Sequence, residues 1–115
     1  MKVIEINNKE YALHFGLDFI REMDKRHSMD ANGFPLGMGV QAAVIYLVQG
    51  NPVILEDIIL SATHTLKTVP SKAEIEQWIE EQEDLEGVFT DFLKSLKNAP
   101  ILKKQVGTLL AQMEE

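Results

Sequence analysis

The sequence contains no cysteine, so it offers neither a disulfide nor a thiolate ligand for a metal. This absence removes the usual stabilisers of small secreted domains and suits a cytosolic protein. Basic residues are also scarce, with 11 Lys and Arg against 18 Asp and Glu and a formal charge of −7. Binding to phosphate backbones or anionic lipid depends on Lys and Arg displacing counterions. Neither nucleic acid nor a membrane is therefore expected as a partner.

Long hydrophobic runs are missing as well. The longest is AAVIYLV over residues 42–48, far below the roughly 20 residues that a membrane-spanning helix needs. Near the N-terminus, Glu5 interrupts the chain before the apolar core of a signal peptide could form. No internal repeat or low-complexity linker divides the chain, and 115 residues are enough for one buried core. We therefore expect residues 1–115 to form a single domain.

Residues 2–15 alternate between apolar and polar side chains, as a half-buried β-hairpin does. A turn at Asn7-Asn8 or at Asn8-Lys9 fits, because Asn tolerates the positive φ of tight turns. The pattern leaves the choice of register open. Either turn places the same apolar side chains on one face, namely Ile4, Ile6, Tyr11 and Leu13, and the alternation continues to Phe15.

From Gly16 onward the apolar period is that of a helix. A first amphipathic helix is followed by residues 28–39, whose three glycines and one proline predict a loop. A second helix is predicted to start near Met38 and to end at Gly50, a residue that readily adopts left-handed φ. The predicted stripe of the first helix is Phe19, Ile20, Met23 and His27, and that of the second is Val40, Ala43, Val44, Leu47 and Val48.

Capping signals mark the remaining helices. Asn51 and Pro52 open a third helix, and Ser71 with Glu74 forms a capping box for a fourth. A fifth helix follows, and Pro100 separates it from a last one. The stripe of the third helix is Ile54, Leu55, Ile58, Ile59, Ala62 and Leu66, and that of the fifth is Leu85, Val88, Phe89, Phe92, Leu93 and Leu96. The predicted fold is therefore mainly α, a compact bundle of about five or six helices over residues 16–115 with a short N-terminal β-hairpin over residues 2–15.

Three groups of residues imitate chemical sites. His14 and Asp18 are predicted to lie on different elements, and His27 on an apolar stripe, where a ring packs more often than it binds a metal. The DANG segment resembles a calcium loop but lacks its final bidentate Glu, so turn chemistry is the better interpretation. Asp57, Ser61 and His64 share a helical face, yet no glycine-rich elbow presents the serine, which is expected to bond back to a carbonyl. We expect no catalytic residue, no metal site and no cofactor.

The tract from Glu74 to Asp91 is acidic and contains no Lys, Arg or His. Carboxylates strung along one surface differ from a catalytic pair, which needs two groups across a cleft. A solvated acidic face is the preferred interpretation, and a docking surface for a basic partner is the alternative.

Four segments together resemble the tail assembly chaperones of long-tailed phages that infect Gram-positive bacteria. They are EYALHFGLDFIREMDKRH, NGFPLGMG, YLVQGNPVILEDIILSAT and IEEQEDLEGVFTDFLKSL, which extend over nearly the whole chain. The resemblance implies a mostly helical fold with a small hairpin, no enzymatic activity and no cofactor. It also implies binding to the tape-measure protein in the host cytoplasm, support for tail-tube assembly around it, and absence from the finished virion.

The resemblance supplies no binding residues, so these are predicted from the chain. The last helix is favoured because it follows a proline break near the chain end, and its apolar residues are Leu102, Val106, Leu109, Leu110 and Met113. The competing interpretation is that they cover the core.

Two further possibilities stay open, namely a longer frameshifted product that reaches the tail-tube protein and a homo-oligomer. The alternative functions are a structural component that remains in the particle and a small hydrolase using Ser61 and His64.

Overall fold

The computed structural model describes residues 2–114 and, within them, contains six helices and two antiparallel β-hairpins. Met1 and Glu115, which belong to the predicted single domain, lie outside the described residues. The mainly helical class and the N-terminal hairpin are confirmed. The elements in chain order are β1 (Lys2–Ile6), β2 (Lys9–Leu13), α1 (Leu17–Arg26), β3 (Ser28–Ala31), β4 (Phe34–Gly37), α2 (Gly39–Gln49), α3 (Val53–Ala62), α4 (Lys72–Glu80), α5 (Leu85–Asn98) and α6 (Lys103–Met113).

The N-terminal hairpin turns at Asn7-Asn8, which decides between the two registers that the sequence left open. Both asparagines have positive φ, 54° and 65°, and Ile6 pairs with Lys9 across the two-residue turn. Strand β2 ends at Leu13, so the prediction that His14 and Phe15 continue the strand was wrong. Instead, the His14 backbone N–H donates to the Ala62 carbonyl at 2.9 Å, because the chain turns there to pack on α3.

Residues 28–39 do not form the predicted loop, because most of them make a second hairpin. Strands β3 and β4 pair antiparallel around a two-residue turn at Asn32-Gly33, where φ is 54° and 88°. The Asp30 Oδ1 atom accepts a hydrogen bond from the Gly33 N–H at 3.1 Å, which stabilises the turn. Asn-Gly between short extended segments is the strongest short-range hairpin signal. The glycines and the proline of this segment had instead been interpreted as a loop.

Helices α1, α2 and α3 pack together, and strand β2 of the first hairpin contacts α3. Gly50 has a φ of 74° and ends α2, as the sequence predicted. Asn51 Oδ1 accepts from the Val53 N–H at 3.1 Å, but α3 begins one residue later than predicted, with Pro52 at the N-cap instead of in the first turn. Two stripe assignments were wrong: Val48 is exposed, and Leu66 lies beyond the end of α3, where it is half-buried. The buried residues of the three helices are Phe19, Glu22, Met23, Gly39, Val40, Ala43, Val44, Leu47, Ile54, Leu55, Ile58, Ile59, Ser61 and Ala62.

The last three helices complete the core, because α4 packs against α3 while α5 and α6 pack against α2. The predicted capping box of α4 is present, since the Ser71 hydroxyl accepts from the Glu74 N–H at 3.1 Å and the Ser71 N–H donates to the Glu74 carboxylate at 3.0 Å. On α5, Phe92 and Leu96 are buried, whereas the rest of its predicted stripe is half-buried. Helix α6 packs against α5 and α2.

Candidate functional site

The predicted binding stripe of the last helix is divided by the fold. Leu102, just before α6, and Val106, on its first turn, are completely buried members of the core. Leu109 and Leu110 are half-buried against that core, and Met113 is 40% exposed. The outer half of the stripe is therefore the part that a partner can reach in the folded chain. The inner half holds α6 onto α5 and α2.

The serine, histidine and aspartate of α3 and the turn after it do not assemble into a catalytic set. Asp57 Oδ2 lies 2.8 Å from Nε2 of His27, and the Ser61 hydroxyl accepts from Arg26 Nη1 at 3.4 Å. His64 lies 3.6 Å from the Glu22 carboxylate. Each member of the triad-like set is thus paired with a residue of α1 or its C-cap. The expected hydrogen bond from Ser61 back to a carbonyl is not among those of residues 2–114, in which the Ser61 hydroxyl accepts from Arg26.

The buried carboxylate of Glu22 is the centre of this α1–α3 contact. Lys25 Nζ donates to it at 2.8 Å and Arg26 Nη1 at 3.3 Å. The hydrogen bond from Lys25 is the main reason why the pKa of Glu22 is held below its usual value, although burial opposes the shift. A buried carboxylate that is paired and hydrogen-bonded in this way has a structural explanation.

Neither His27 nor the DANG segment, which resemble metal sites in the sequence, is surrounded by a set of metal ligands. His27 packs edge-on against Tyr46, with ring centroids 6.3 Å apart, while its Nε2 contacts Asp57, as expected for a packed histidine. The Asp30 side chain is used by the Asn32-Gly33 turn, which confirms turn chemistry for this segment. Over residues 2–114, no group of three or more His, Asp or Glu side chains is placed to hold a metal ion.

The acidic tract lies on α4, on the start of α5 and on the turn between them. Its carboxylates at Glu80, Glu81, Glu83 and Asp84 are exposed. At its beginning, the Ser71 backbone N–H is the main cause that lowers the pKa of Glu74, and Asn7 donates a further hydrogen bond. This arrangement fits the predicted solvated acidic face. Its alternative interpretation as a docking surface for a basic partner stays a prediction.

A cavity of about 650 Å³ lies between the end of the first hairpin and the C-terminal half of α5. Its polar lining includes His14, Asp91, Lys94 and Asn98, and Lys2 forms an ion pair with Asp91 across it. The lining contains a serine, Ser95, whose hydroxyl donates to the Asp91 carbonyl one turn earlier at 3.0 Å. These contacts give Lys2, Asp91 and Ser95 a structural role, and none of them joins a nucleophile to a general base.

The sequence reasoning missed one exposed surface, the apolar face of the second hairpin. We call it the hairpin-2 face, and it consists of Met29, Phe34 and Leu36, which are 51%, 72% and 47% exposed. Exposed apolar side chains that are contiguous often mark interaction sites. The alternation of Met29 with Ala31 and of Phe34 with Leu36 on either side of Asn32-Gly33 could have predicted this face, had the segment been interpreted as strands.

None of the helices within residues 2–114 is both long enough and apolar enough to cross a membrane. No match emerged among curated proteins or among solved structures. A family model described as "Phage tail assembly chaperone protein, TAC" matches residues 3–110, which is nearly the whole chain. The family description names a chaperone. In the structure, the triad-like and calcium-like residues make hydrogen bonds and polar contacts within the fold. The chain belongs to the phage tail assembly chaperone family.

Proposed function

We propose that this chaperone binds the tape-measure protein of its phage, keeps it soluble and promotes assembly of the tail tube around it. The observation that carries the proposal is the pairing of exposed large apolar side chains with a net charge of −7. A long helical chain with uncovered apolar seams is prone to aggregate. An acidic binder with apolar contact residues would cover such seams and add solubilising charge.

The proposal includes the setting that the sequence resemblance implies. The chaperone acts in the cytoplasm of the bacterial host, for a long-tailed phage or prophage of Gram-positive bacteria, and leaves before the virion is complete. A frameshifted longer product would link it to the tail-tube protein. Purified virions should therefore lack the chain, and its recovery from them would instead favour a structural component retained in the particle.

We assign the first contact surface to the outer half of α6, formed by Leu109, Leu110 and Met113. Their partial exposure supports this assignment. Leu102 and Val106 belong to the same predicted stripe, but they contribute by anchoring α6. Methionine adapts to varied apolar partners because its side chain is unbranched and polarisable. An apolar stripe on a helix can pack against the stripe of another helix in a groove-and-helix mode.

Co-expression with the tape-measure protein of the same phage tests the proposal. The wild-type chain should move that protein from the insoluble to the soluble fraction, and the two should co-purify. Met113→Gln combined with Leu109→Gln should reduce co-purification, while Ala111→Gln on the exposed side of the same helix should not. Point variants are preferable to truncation before Pro100, because truncation also removes buried Leu102. An insoluble tape-measure protein beside a well-expressed wild-type chaperone would contradict the function itself.

A further inference from the structure

The tip of the second hairpin brings together the two residues that a chemical change of the main chain requires. Of the five asparagines in the sequence, Asn32 is the one that precedes a glycine. Asn32 and Gly33 are both exposed, and a Cβ built on Gly33 would meet no atom of the described residues within 4 Å, its chain neighbours aside. The backbone nitrogen of Gly33 therefore lies beside the Asn32 side chain without a side chain of its own to shield it.

We propose that Asn32 is a site of spontaneous deamidation through a cyclic imide. The Gly33 nitrogen forms a bond to Asn32 Cγ, the Cγ–Nδ2 bond breaks, and the proton of the Gly33 N–H leaves with Nδ2 as ammonia. Water then opens the imide ring at either of its two carbonyl carbons. Opening at Cγ gives aspartate, and opening at the main-chain carbonyl gives isoaspartate, in which the chain runs through Cβ and Cγ. The first step is favoured because both reacting groups belong to one short segment of chain.

The folded turn restrains the reacting nitrogen. The Gly33 N–H donates to Asp30 Oδ1 at 3.1 Å, in a turn where Asn32 has a φ of 54° and Gly33 a φ of 88°. Ring closure requires the Gly33 nitrogen to leave Asp30 and approach Asn32 Cγ, so the tip must open first. Seven of the eight strand residues are exposed, and a two-stranded hairpin is only marginally stable by itself. The tip is therefore expected to open more often than the helical core, and each opening allows the imide to form.

Deamidation would change the hairpin that carries the site. The two-residue turn depends on Asn-Gly, whose positive φ values match the twist of the paired strands. Isoaspartate adds a carbon atom to the main chain at this point, so the pairing of Ala31 with Phe34 beside the turn should be lost. Both products also add a negative charge two residues from Asp30, in a chain whose formal charge is already −7. The site thus couples the chemical age of the chain to the order of its second hairpin.

Peptide mapping by mass spectrometry tests the proposal on the folded, full-length chain, incubated at mildly alkaline pH. We expect Asn32 to convert several-fold faster than Asn7 and to give both aspartate and isoaspartate. Asn7 is the matched internal control, because it is exposed, occupies the same position in the turn of the first hairpin and has the same φ of 54°. It precedes Asn8 instead of a glycine, so a side chain shields the nitrogen that would attack.

Two variants connect the reaction to the turn. Asn32→Gly removes the reacting amide and leaves a Gly-Gly pair that suits the same turn, so it should show no conversion at this position. Its cross-strand NMR contacts between Ala31 and Phe34 should persist throughout the incubation, whereas the isoaspartate form of the wild-type chain should lose them. Asp30→Ala should convert Asn32 faster than the wild-type chain does, because it frees the Gly33 N–H.

Each part of the proposal has its own contrary outcome. Conversion of Asn32 no faster than that of Asn7 would overturn the site. Aspartate without isoaspartate would overturn the cyclic imide, because direct hydrolysis of the side-chain amide gives aspartate alone. An unchanged rate in Asp30→Ala would overturn the requirement that the tip opens first. Persistence of the contacts between Ala31 and Phe34 in the isoaspartate form would overturn the coupling to the hairpin.

Discussion

Replacing Leu102 with alanine tests whether α6 belongs to the folded core. This side chain is completely buried, and its backbone N–H already donates to the Ala99 carbonyl at 3.0 Å, so alanine keeps the backbone contact and removes only packing. Leu→Ala changes at buried sites cost about 2–5 kcal/mol, from lost transfer free energy plus the cavity left behind. We expect Leu102→Ala to destabilise the chain within that range.

Urea unfolding followed by far-ultraviolet circular dichroism measures the effect. For a domain of this size, a loss of that magnitude should lower the urea midpoint by roughly 1–3 M with an unchanged slope. Met113→Ala is the control on the same stripe, because Met113 is 40% exposed near the end of α6. Its effect should stay within about 0.5 kcal/mol.

Equal midpoints for Leu102→Ala and wild type would refute the reasoning. Helix α6 would then be detached from α5 and α2 in solution, and the whole predicted stripe, including Val106, would be available to a partner. A large loss for Leu102→Ala with none for Met113→Ala would show that the stripe has an anchoring half and a reachable half. The second result is the one that the packing predicts.

Two further changes test contacts between α1 and its neighbours. Gly39→Ala should destabilise the fold by about 1–3 kcal/mol in the same unfolding assay, because a Cβ there would collide with Met23 of α1. Glu22→Gln should lower stability at neutral pH and matter less in acid. The pKa of Glu22 is lowered in the fold, chiefly by the Lys25 hydrogen bond, so its stabilisation is present above the ordinary value of 4.5 and is lost as the pH falls through the lowered pKa. A constant difference between wild type and Glu22→Gln from neutral to acidic pH would contradict that linkage.

Local signals predicted most of the fold. The alternation of residues 2–15 predicted the first hairpin, and asparagine at 7 and 8 suits a tight turn, but the choice between a turn at Asn7-Asn8 and one at Asn8-Lys9 came from the structure. Ser71 and Glu74 predicted the start of α4 because their reciprocal hydrogen bonds depend on residues three apart in the chain. Gly50 likewise ended α2 where a left-handed residue was needed. The capping box and the end of α2 are each decided within a few residues, which is why the sequence alone was sufficient for them.

Tertiary packing decided the features that were missed. The segment around Asn32-Gly33 carries a hairpin signal, but glycine and proline favour a loop unless another element supports the strands, and α1 supplies that support through β4. A helical stripe also does not reveal which of its residues a neighbour covers. The difference between Leu102, which is buried, and Met113, which is exposed, depends on where α5 and α2 end.

The two exposed apolar surfaces share a property that bears on how, under the proposed function, the chaperone would leave its partner. The hairpin-2 face and the outer half of α6 each consist of a few partly exposed apolar side chains, so each offers a small contact area. A small apolar contact binds weakly for one copy, since association must first overcome the loss of translational and rotational freedom. Under the proposed function, a weakly held chaperone would leave the tape-measure protein one copy at a time as the tube assembles, which a single tight complex would resist.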